Sequence, residues 1–452
     1  MKEEPIKLTG NLSVAGVVMI TASSVTPASS IFVIAPLAIT SAGSGALISF
    51  AIAACIALCL GLCYAELGAA HPSAGGEYII IRRLFGNLSA IQMYLFITVG
   101  TLFIPAVLAV GAIPYLNTAL GAHFSPSEAG VLTVLVGGAC GLLNIRSSAL
   151  LTGFFLVVEI AVLLIIAWLG LTHPNQPATI FTAPRMLNGQ GLLSPVPLAA
   201  IIAMTGTALF SYNGYGSAVA MAEDMPVKGK PMAKAIMLTL LVVVIVEIVP
   251  FSALLIGAPS LKEMGASADP VSYILRVLGG PVLARVVSAA IYLSVFNAII
   301  ATAMQSSRVI FSSGRDNFWF TRLNQALCLI GKRNGSPWFA TLLFTVISAM
   351  LAFSSDLEGL TSFTVILLLL VYVAIAAAAL ISRRRQFAHP YLMPLWPLPP
   401  LLALLFCLWV LWTLLLATSL KDYLIVLFVI ALGVALWIRH RQSCTTETIQ
   451  GE

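Results

Sequence analysis

The sequence predicts an all-α polytopic membrane protein with twelve transmembrane helices. Three observations carry this. Of 452 residues, 60% are hydrophobic and 9% charged, against roughly 25% charged in a soluble domain. Mean hydropathy is +1.02. Apolar runs long enough to cross about 30 Å of hydrocarbon recur down the whole length, centred near residues 25, 56, 102, 137, 160, 209, 245, 298, 346, 370, 406 and 430. The first run is too long for a cleavable signal peptide and eleven others follow it. Nothing resembles an extramembrane catalytic domain, so an enzyme is not expected.

The basic residues set the expected orientation. With a cytoplasmic N-terminus, 18 of the 23 fall on that side: Lys2, Lys7, Arg82, Arg83, Arg146, Lys228, Lys230, Lys234, Arg308, Arg315, Arg322, Lys332, Arg333, Arg383, Arg384, Arg385, Arg439 and Arg441. Arg185, Lys262, Arg276, Arg285 and Lys421 fall towards the other face. The positive-inside rule then places both termini in the cytoplasm of a cytoplasmic-membrane protein. The net charge of +6 reports this topology and not nucleic-acid binding. Arg383–Arg385 reads as a stop-transfer flank, with a lipid-binding patch as the alternative.

Two spans are interrupted where the bilayer midplane would lie. In the first, Thr21-Ala-Ser-Ser-Val-Thr-Pro-Ala-Ser-Ser30 sits between apolar flanks, and Pro27 has no N–H to give a helix. In the sixth, Ser211, Tyr212, Asn213, Gly214, Tyr215, Gly216 and Ser217 interrupt an apolar stretch. Backbone groups freed by a break are tolerated in a membrane only against protein, water or a bound solute. The broken helices are five apart, so they occupy matching places in two five-helix halves, the sequence pointer to an inverted-repeat transporter with a midplane site.

The second span carries Cys55, Cys59 and Cys63 at every fourth position. With no accompanying His or further Cys, they read as small packing residues on one helix face and not as metal or haem ligands. Seven cysteines, an odd number, give no disulfide framework. His71, His123, His173, His389 and His440 offer no metal-ligand spacing, and no phosphate-binding loop is present. No metal and no cofactor are expected. Residues 442–452 read as a short disordered tail.

The chain resembles the amino acid–polyamine–organocation transporter family over nearly its whole length. The resemblance rests on Tyr64-Ala-Glu-Leu-Gly-Ala-Ala-His-Pro-Ser-Ala-Gly-Gly-Glu-Tyr78 followed by Arg82-Arg83-Leu-Phe-Gly86. It is supported by Ala222-Glu-Asp224, by Ser307-Arg308 and Gly314-Arg315-Asp316, by Gly335-Ser-Pro-Trp338, and by His389-Pro-Tyr-Leu-Met-Pro-Leu-Trp-Pro397. It implies a LeuT-like five-plus-five inverted repeat with two extra C-terminal helices. The expected division is 1–12, a cytoplasmic tail; 13–171, the first repeat; 196–382, the second; 396–440, helices eleven and twelve; and 441–452, a cytoplasmic tail. It also implies alternating access around the midplane.

The resemblance marks Ala28, Ser29 and Ser30 as matching a glycine-serine-glycine run whose amides bind a substrate carboxylate. The missing glycines limit how closely a ligand approaches, while the hydroxyls and helix-terminal amides still suit a carboxylate. The expected substrate set is Ser24, Thr26, Ala28, Ser29, Ser30, Ser211, Tyr212, Asn213, Gly214 and Tyr215. Carbonyls freed at the sixth break suit an ammonium group, and Tyr212 and Tyr215 suit covering it.

Ionisable residues within spans are expensive and default to function. Glu159 aligns near a fifth-helix position where proton-coupled relatives carry a lysine, and is expected to couple protons. Glu247 either joins that route, pairs with a cationic substrate or is a structural carboxylate. Ser306 and Ser307 resemble hydroxyl ligands for an ion, which keeps sodium coupling open. Glu66, Glu77, Glu223 and Asp224 are expected to form gate or scaffold salt bridges near Arg82, Arg83 and the Lys loop.

The function these features imply is secondary active transport of an amino acid or related small amine, driven by protons, with the lipid bilayer, the solute and protons as partners. A polyamine or organic-cation permease or exchanger is the alternative carrier. A channel or non-transporting sensor is the alternative from another class. Symport and exchange stay open, as does oligomeric state.

Overall fold

The computed structural model describes residues 13–72, 76–142, 145–221, 229–267, 269–331, 336–354, 356–385, 388–417 and 420–450. The side chains of 20, 24, 28, 145–153, 220, 221, 417, 421, 422 and 440–450 also lie outside the described residues. The expectations placed on the side chains of Ser24 and Ala28, and on Glu223, Asp224, Lys228, Lys332 and Arg333, fall there.

The described residues are predominantly helical, as an apolar chain in lipid must be to satisfy its own backbone. The first segment is α1 (Val14–Val25), a single turn α2 (Pro27–Ser29), a π-helical turn Ser30–Ile34 and α3 (Ala35–Ala42). There follow α4 (Ala46–Ala70), the short α5 (Gly76–Phe85), α6 (Asn87–Leu120), α7 (Pro126–Gly141) and α8 (Ile145–Thr172). The second half comprises α9 (Leu198–Ser211), a 3-10 turn Tyr215–Met221, α10 (Lys230–Gly257), α11 (Leu261–Ala266), α12 (Pro270–Arg315), α13 (Thr321–Leu327), α14 (Trp338–Ala352) and α15 (Leu357–Ser382). Two more helices close the chain, α16 (Leu398–Ala417) and α17 (Leu420–Gln450).

Among the described residues, 7 helical stretches are long and apolar enough to cross a membrane. Shorter apolar helices, including Trp338–Ala352 and Tyr423–Arg439, accompany them. The architecture is therefore that of an all-α polytopic membrane protein. Several helix starts are capped by a short polar side chain. Ser13 Oγ accepts from Gly16 N at 3.1 Å, and Asp269 Oδ1 accepts from Val271 N and Ser272 N, both at 3.1 Å. The 46-residue α12 is kinked at Gly280 (φ 76°, ψ 172°), immediately before Pro281, a break proline enforces by removing a backbone donor.

Three features differ from the sequence expectation. The tail from 442 is helical as far as Gln450 in continuation of α17, because its residues follow a formed helix and include no proline or glycine before Gly451. Cys55 is exposed, Cys59 half-buried and Cys63 buried, so the stripe does not lie on one packing face. A four-residue step advances about 400° around a helix, and the stripe winds from surface to core. The loop before α9 forms a hairpin, with β1 (Arg185–Leu187) antiparallel to β2 (Leu193–Pro195). Its turn was legible in Asn188-Gly189-Gln190-Gly191: Asn188 Oδ1 accepts from Gln190 N and Leu192 N at 3.0 and 2.9 Å.

In the first segment α1 packs against α10, α2 against α12 and α3 against α9. Helix α10 packs against α4 and α8, α4 against α9, α12 against α6 and α8, and α15 against α6 and α16. At Gly170, a Cβ would lie 2.0 Å from the Ala253 carbonyl oxygen, so α8 and α10 approach at backbone distance, as small residues permit in membranes. The same two helices carry Glu159 and Glu247, which act on one another electrostatically.

Candidate functional site

The first break begins where Pro27 withholds its donor. Thr26 takes a left-handed conformation (φ 50°, ψ 72°) and its N–H closes α1 on Ala22 O at 3.1 Å. For a β-branched residue that backbone is uncommon, and local hydroxyls support it. Thr26 Oγ1 donates to Val25 O at 2.8 Å, lies 2.6 Å from Ser29 Oγ, and Ser29 Oγ donates to Thr26 O at 2.7 Å. Two carbonyls and two hydroxyls at the break are thus occupied from within the segment.

The second break follows Ser211. Tyr212 leaves the helix at φ −83°, ψ 0°, and Gly214 sits at φ 126°, a region open essentially to glycine. Ser217 Oγ and N both bond Gly214 O, at 2.7 and 3.0 Å.

The two breaks meet. Ser30 Oγ donates to the Ser211 carbonyl at 3.0 Å across 181 residues. A Cβ on Gly214 would lie 3.0–3.1 Å from Val25 Cγ2, Cα and N, so the second break rests on the backbone of the first. Thr26, Ser29, Ser30, Ser211, Tyr212 and Tyr215 are all buried here, and the Ser211 hydroxyl has no hydrogen-bond partner among the described residues. Tyr212 O–H donates to Phe50 O at 3.2 Å, and Tyr372 O–H donates to Asn213 Oδ1 at 3.2 Å.

Below the break the Tyr215 ring meets Tyr64 edge-on at 5.6 Å and stacks on Tyr372 at 6.4 Å. Tyr64 O–H donates to Glu77 Oε1 at 2.5 Å. Burial pushes the Glu77 carboxyl up, against the opposing pull of the Tyr64 hydrogen bond. Tyr64 and Tyr372 were missed in sequence as site residues. A tyrosine inside an otherwise aliphatic run, as in Leu367–Ala374, was the available signal.

Glu159 on α8 and Glu247 on α10 are 1% and 0% exposed. They act on one another electrostatically, and Ser30 and Tyr212 also lie within reach of Glu247. Ser30 commits its proton to Ser211 O, so neither Glu247 oxygen has a hydrogen-bond partner among the described residues. The pair therefore abuts the junction of the breaks. Ser306 and Ser307 are buried on α12, and Ser307 Oγ donates to its own helix at Met304 O, 3.0 Å.

At the α5 end of the bundle, Glu66 pairs with Arg383 and not with Arg82 or Arg83. Arg383 Nε and Nη2 each lie 2.7 Å from Glu66 Oε1 and Oε2, Met393 N donates to Oε2 at 2.8 Å, and the guanidinium lies 4.9 Å from the Trp396 ring centroid. Arg82 instead donates to Asn87 Oδ1 at 2.9 Å, and Arg83 reaches His71 at 3.3 Å. Burial, with Arg83 and His389 nearby, brings the His71 imidazole down to about 4. Neighbouring arginines already face those two acceptors, which left the buried Glu66 to a guanidinium from a distant helix. Removing one partner of a buried pair strands the other, at a cost of about 3–5 kcal/mol. Arg383→Ala should therefore lower the thermal midpoint of the purified protein, and Arg383→Ala combined with Glu66→Leu should recover part of the loss; equal midpoints for Arg383→Ala and the parent would refute the brace.

A family model described as amino acid permease matches residues 12–437. The chain is 26% identical to the branched-chain amino acid permease BcaP of Bacillus subtilis over 380 residues, covering 79% of this chain and 77% of that one. It is 25% identical to the human large neutral amino acids transporter small subunit 2 over 329 residues, 70% of this chain and 59% of the relative. Cationic amino acid transporter 4 of Mus musculus is 25% identical over 370 residues, 77% of this chain and 56% of the relative. The chain thus spans less than two thirds of these two mammalian relatives. With a match that runs from the start of α1 to the end of the described side chains in α17, the chain belongs to the amino acid permease family, among the amino acid–polyamine–organocation transporters that its motifs resemble.

Proposed function

We propose that the protein is a secondary active transporter moving an amino acid or related small amine by alternating access around the two broken helices, coupled to protons. The supporting observation is the Ser30–Ser211 junction: two midspan breaks, five spans apart, lie against each other, as a midplane site between inverted repeats requires. In this reading residues 13–171 and 196–382 are the two repeats, 396–440 adds helices eleven and twelve, and both termini face the cytoplasm.

The substrate carboxylate is held by the hydroxyls and amides around Ser29 and Ser30 at the start of the helical turns after Pro27. Its ammonium group faces the carbonyls of the second break. Glu159 and Glu247 carry the proton: two carboxyls that act on each other titrate as a coupled unit and not as independent sites. The names of the relatives span branched-chain, large neutral and cationic amino acids, so the α-amino-acid moiety is the recognised element common to them.

The two buried carboxyls favour a second reading, an organic-cation permease. Ligands that bind the native state raise its thermal midpoint. A thermal-shift series of α-amino acids and diamines on the purified protein should show stabilisation by α-amino acids; stabilisation by putrescine alone would replace the first reading with the second. Accumulation against a gradient in proteoliposomes should follow, and equilibration without accumulation would mark a channel.

A further inference from the structure

Glu77 reaches the second break from outside the span-length helices, through a chain of aromatic contacts. Helix α5 lies outside the span-length helices, yet it packs against both α15 and the 3-10 turn after the break. Its Glu77 accepts the Tyr64 hydroxyl at 2.5 Å. The Tyr64 ring stands perpendicular to Tyr215 (90°, 5.6 Å) and nearly so to Tyr372 (83°, 6.4 Å). Tyr372 in turn holds Asn213 by the 3.2 Å hydrogen bond. A second contact locks the same arrangement: a Cβ on Gly216 would meet Glu77 Oε1 at 2.8 Å and Tyr64 Cε1 and Cζ at 2.8 and 3.0 Å. Only a residue without a side chain lets the pair seat directly under the break.

We infer that Glu77 is a positioning residue for transport, holding Tyr64 against Tyr215 so that α5 closes the side of the substrate site nearest it. Among the described residues the side-chain hydrogen bond of Glu77 goes to Tyr64, which lies outside the substrate set. It acts through Tyr64, and release of their hydrogen bond lets the three rings separate and the site open on that face. A charge-assisted bond of this length is among the stronger hydrogen bonds, so its loss shifts the balance between closed and open arrangements. Carboxylate charge is not required for the geometry, because an amide oxygen accepts from the same hydroxyl. Removing the acceptor or the hydroxyl produces one and the same defect. The inference rests on the transporter reading above.

The test uses the full chain in proteoliposomes, with Glu77→Ala, Glu77→Gln, Tyr64→Phe and the Glu77→Ala/Tyr64→Phe double variant. Binding of a stabilising α-amino acid, read by thermal shift, is measured beside counterflow turnover and maleimide labelling of Cys63, the buried neighbour of Tyr64. Glu77→Ala and Tyr64→Phe should each change turnover by about fivefold, a shift of about 1 kcal/mol. Both should raise Cys63 labelling several-fold, and the double variant should add nothing to either. Glu77→Gln should stay within about twofold of the parent. Additive effects, unchanged Cys63 labelling, or a Glu77→Gln defect equal to that of Glu77→Ala would overturn the role. Gly216→Ala, whose methyl group would press on both residues while leaving each unsubstituted, should reproduce the Tyr64→Phe labelling, and parental labelling in it counts against the inference. Absence of amino-acid binding in the parent protein would instead defeat the transporter reading, so the two failures are distinguishable.

Discussion

Glu159→Gln is expected to abolish accumulation driven by a pH gradient while leaving substrate binding and counterflow within about twofold of the parent. The Glu159 carboxyl is 1% exposed and faces Glu247 beside the junction of the two breaks. A charge there is poorly solvated, and its state is felt by Glu247 and through it by Ser30. In the proposed mechanism protonation favours one arrangement of the two halves over the other, and that difference in free energy would couple the proton to transport. Glutamine keeps the size and one acceptor but cannot change charge, so binding should also lose its pH dependence. Accumulation with a normal pH response in this variant would move the coupling role to Glu247 or to an ion site.

Gly214→Val should eliminate transport, with loss of at least about tenfold in substrate affinity, while folded protein is still recovered from the membrane. Two costs combine. At φ 126° a β-branched residue meets backbone strain of about 1–3 kcal/mol. Its Cβ would also stand 3.0–3.1 Å from the backbone and side chain of Val25, forcing the two breaks apart. The separation falls on the Ser30–Ser211 junction, which is local to the site, whereas the helices around it pack through other faces. Uptake by the variant at the parental rate would show that the breaks do not form the binding site.

Much of this was legible before the structure. The hydrocarbon-length runs gave the fold class, because solvation in lipid depends on a composition that any window of about twenty residues reveals. The two breaks were equally local. Pro27 lacks an N–H wherever it stands, and Gly214 permits a backbone that its neighbours do not. Tyr64-to-Tyr78 and the motifs beyond it placed the chain among amino acid transporters. The hairpin at Arg185–Pro195 lay outside the sequence expectation, although its turn is as local as the two breaks.

What faces what was decided by the tertiary structure. Glu66 sits five residues from His71 and seventeen from Arg83 in sequence, yet its partner is Arg383, 317 residues away. Ser30 finds the Ser211 carbonyl across 181 residues, Tyr64 reaches Glu77 under Gly216, and Glu159 on α8 acts electrostatically on Glu247 on α10. A soluble helix advertises its buried face by an apolar stripe, but helices apolar on every side carry no such mark. Their rotation is set by close packing of small residues and by the few polar groups that must be satisfied away from water. The sequence by itself therefore determined that the helices cross a membrane and where two of them break; only packing in three dimensions decided which carboxyl, hydroxyl and carbonyl groups share the resulting site.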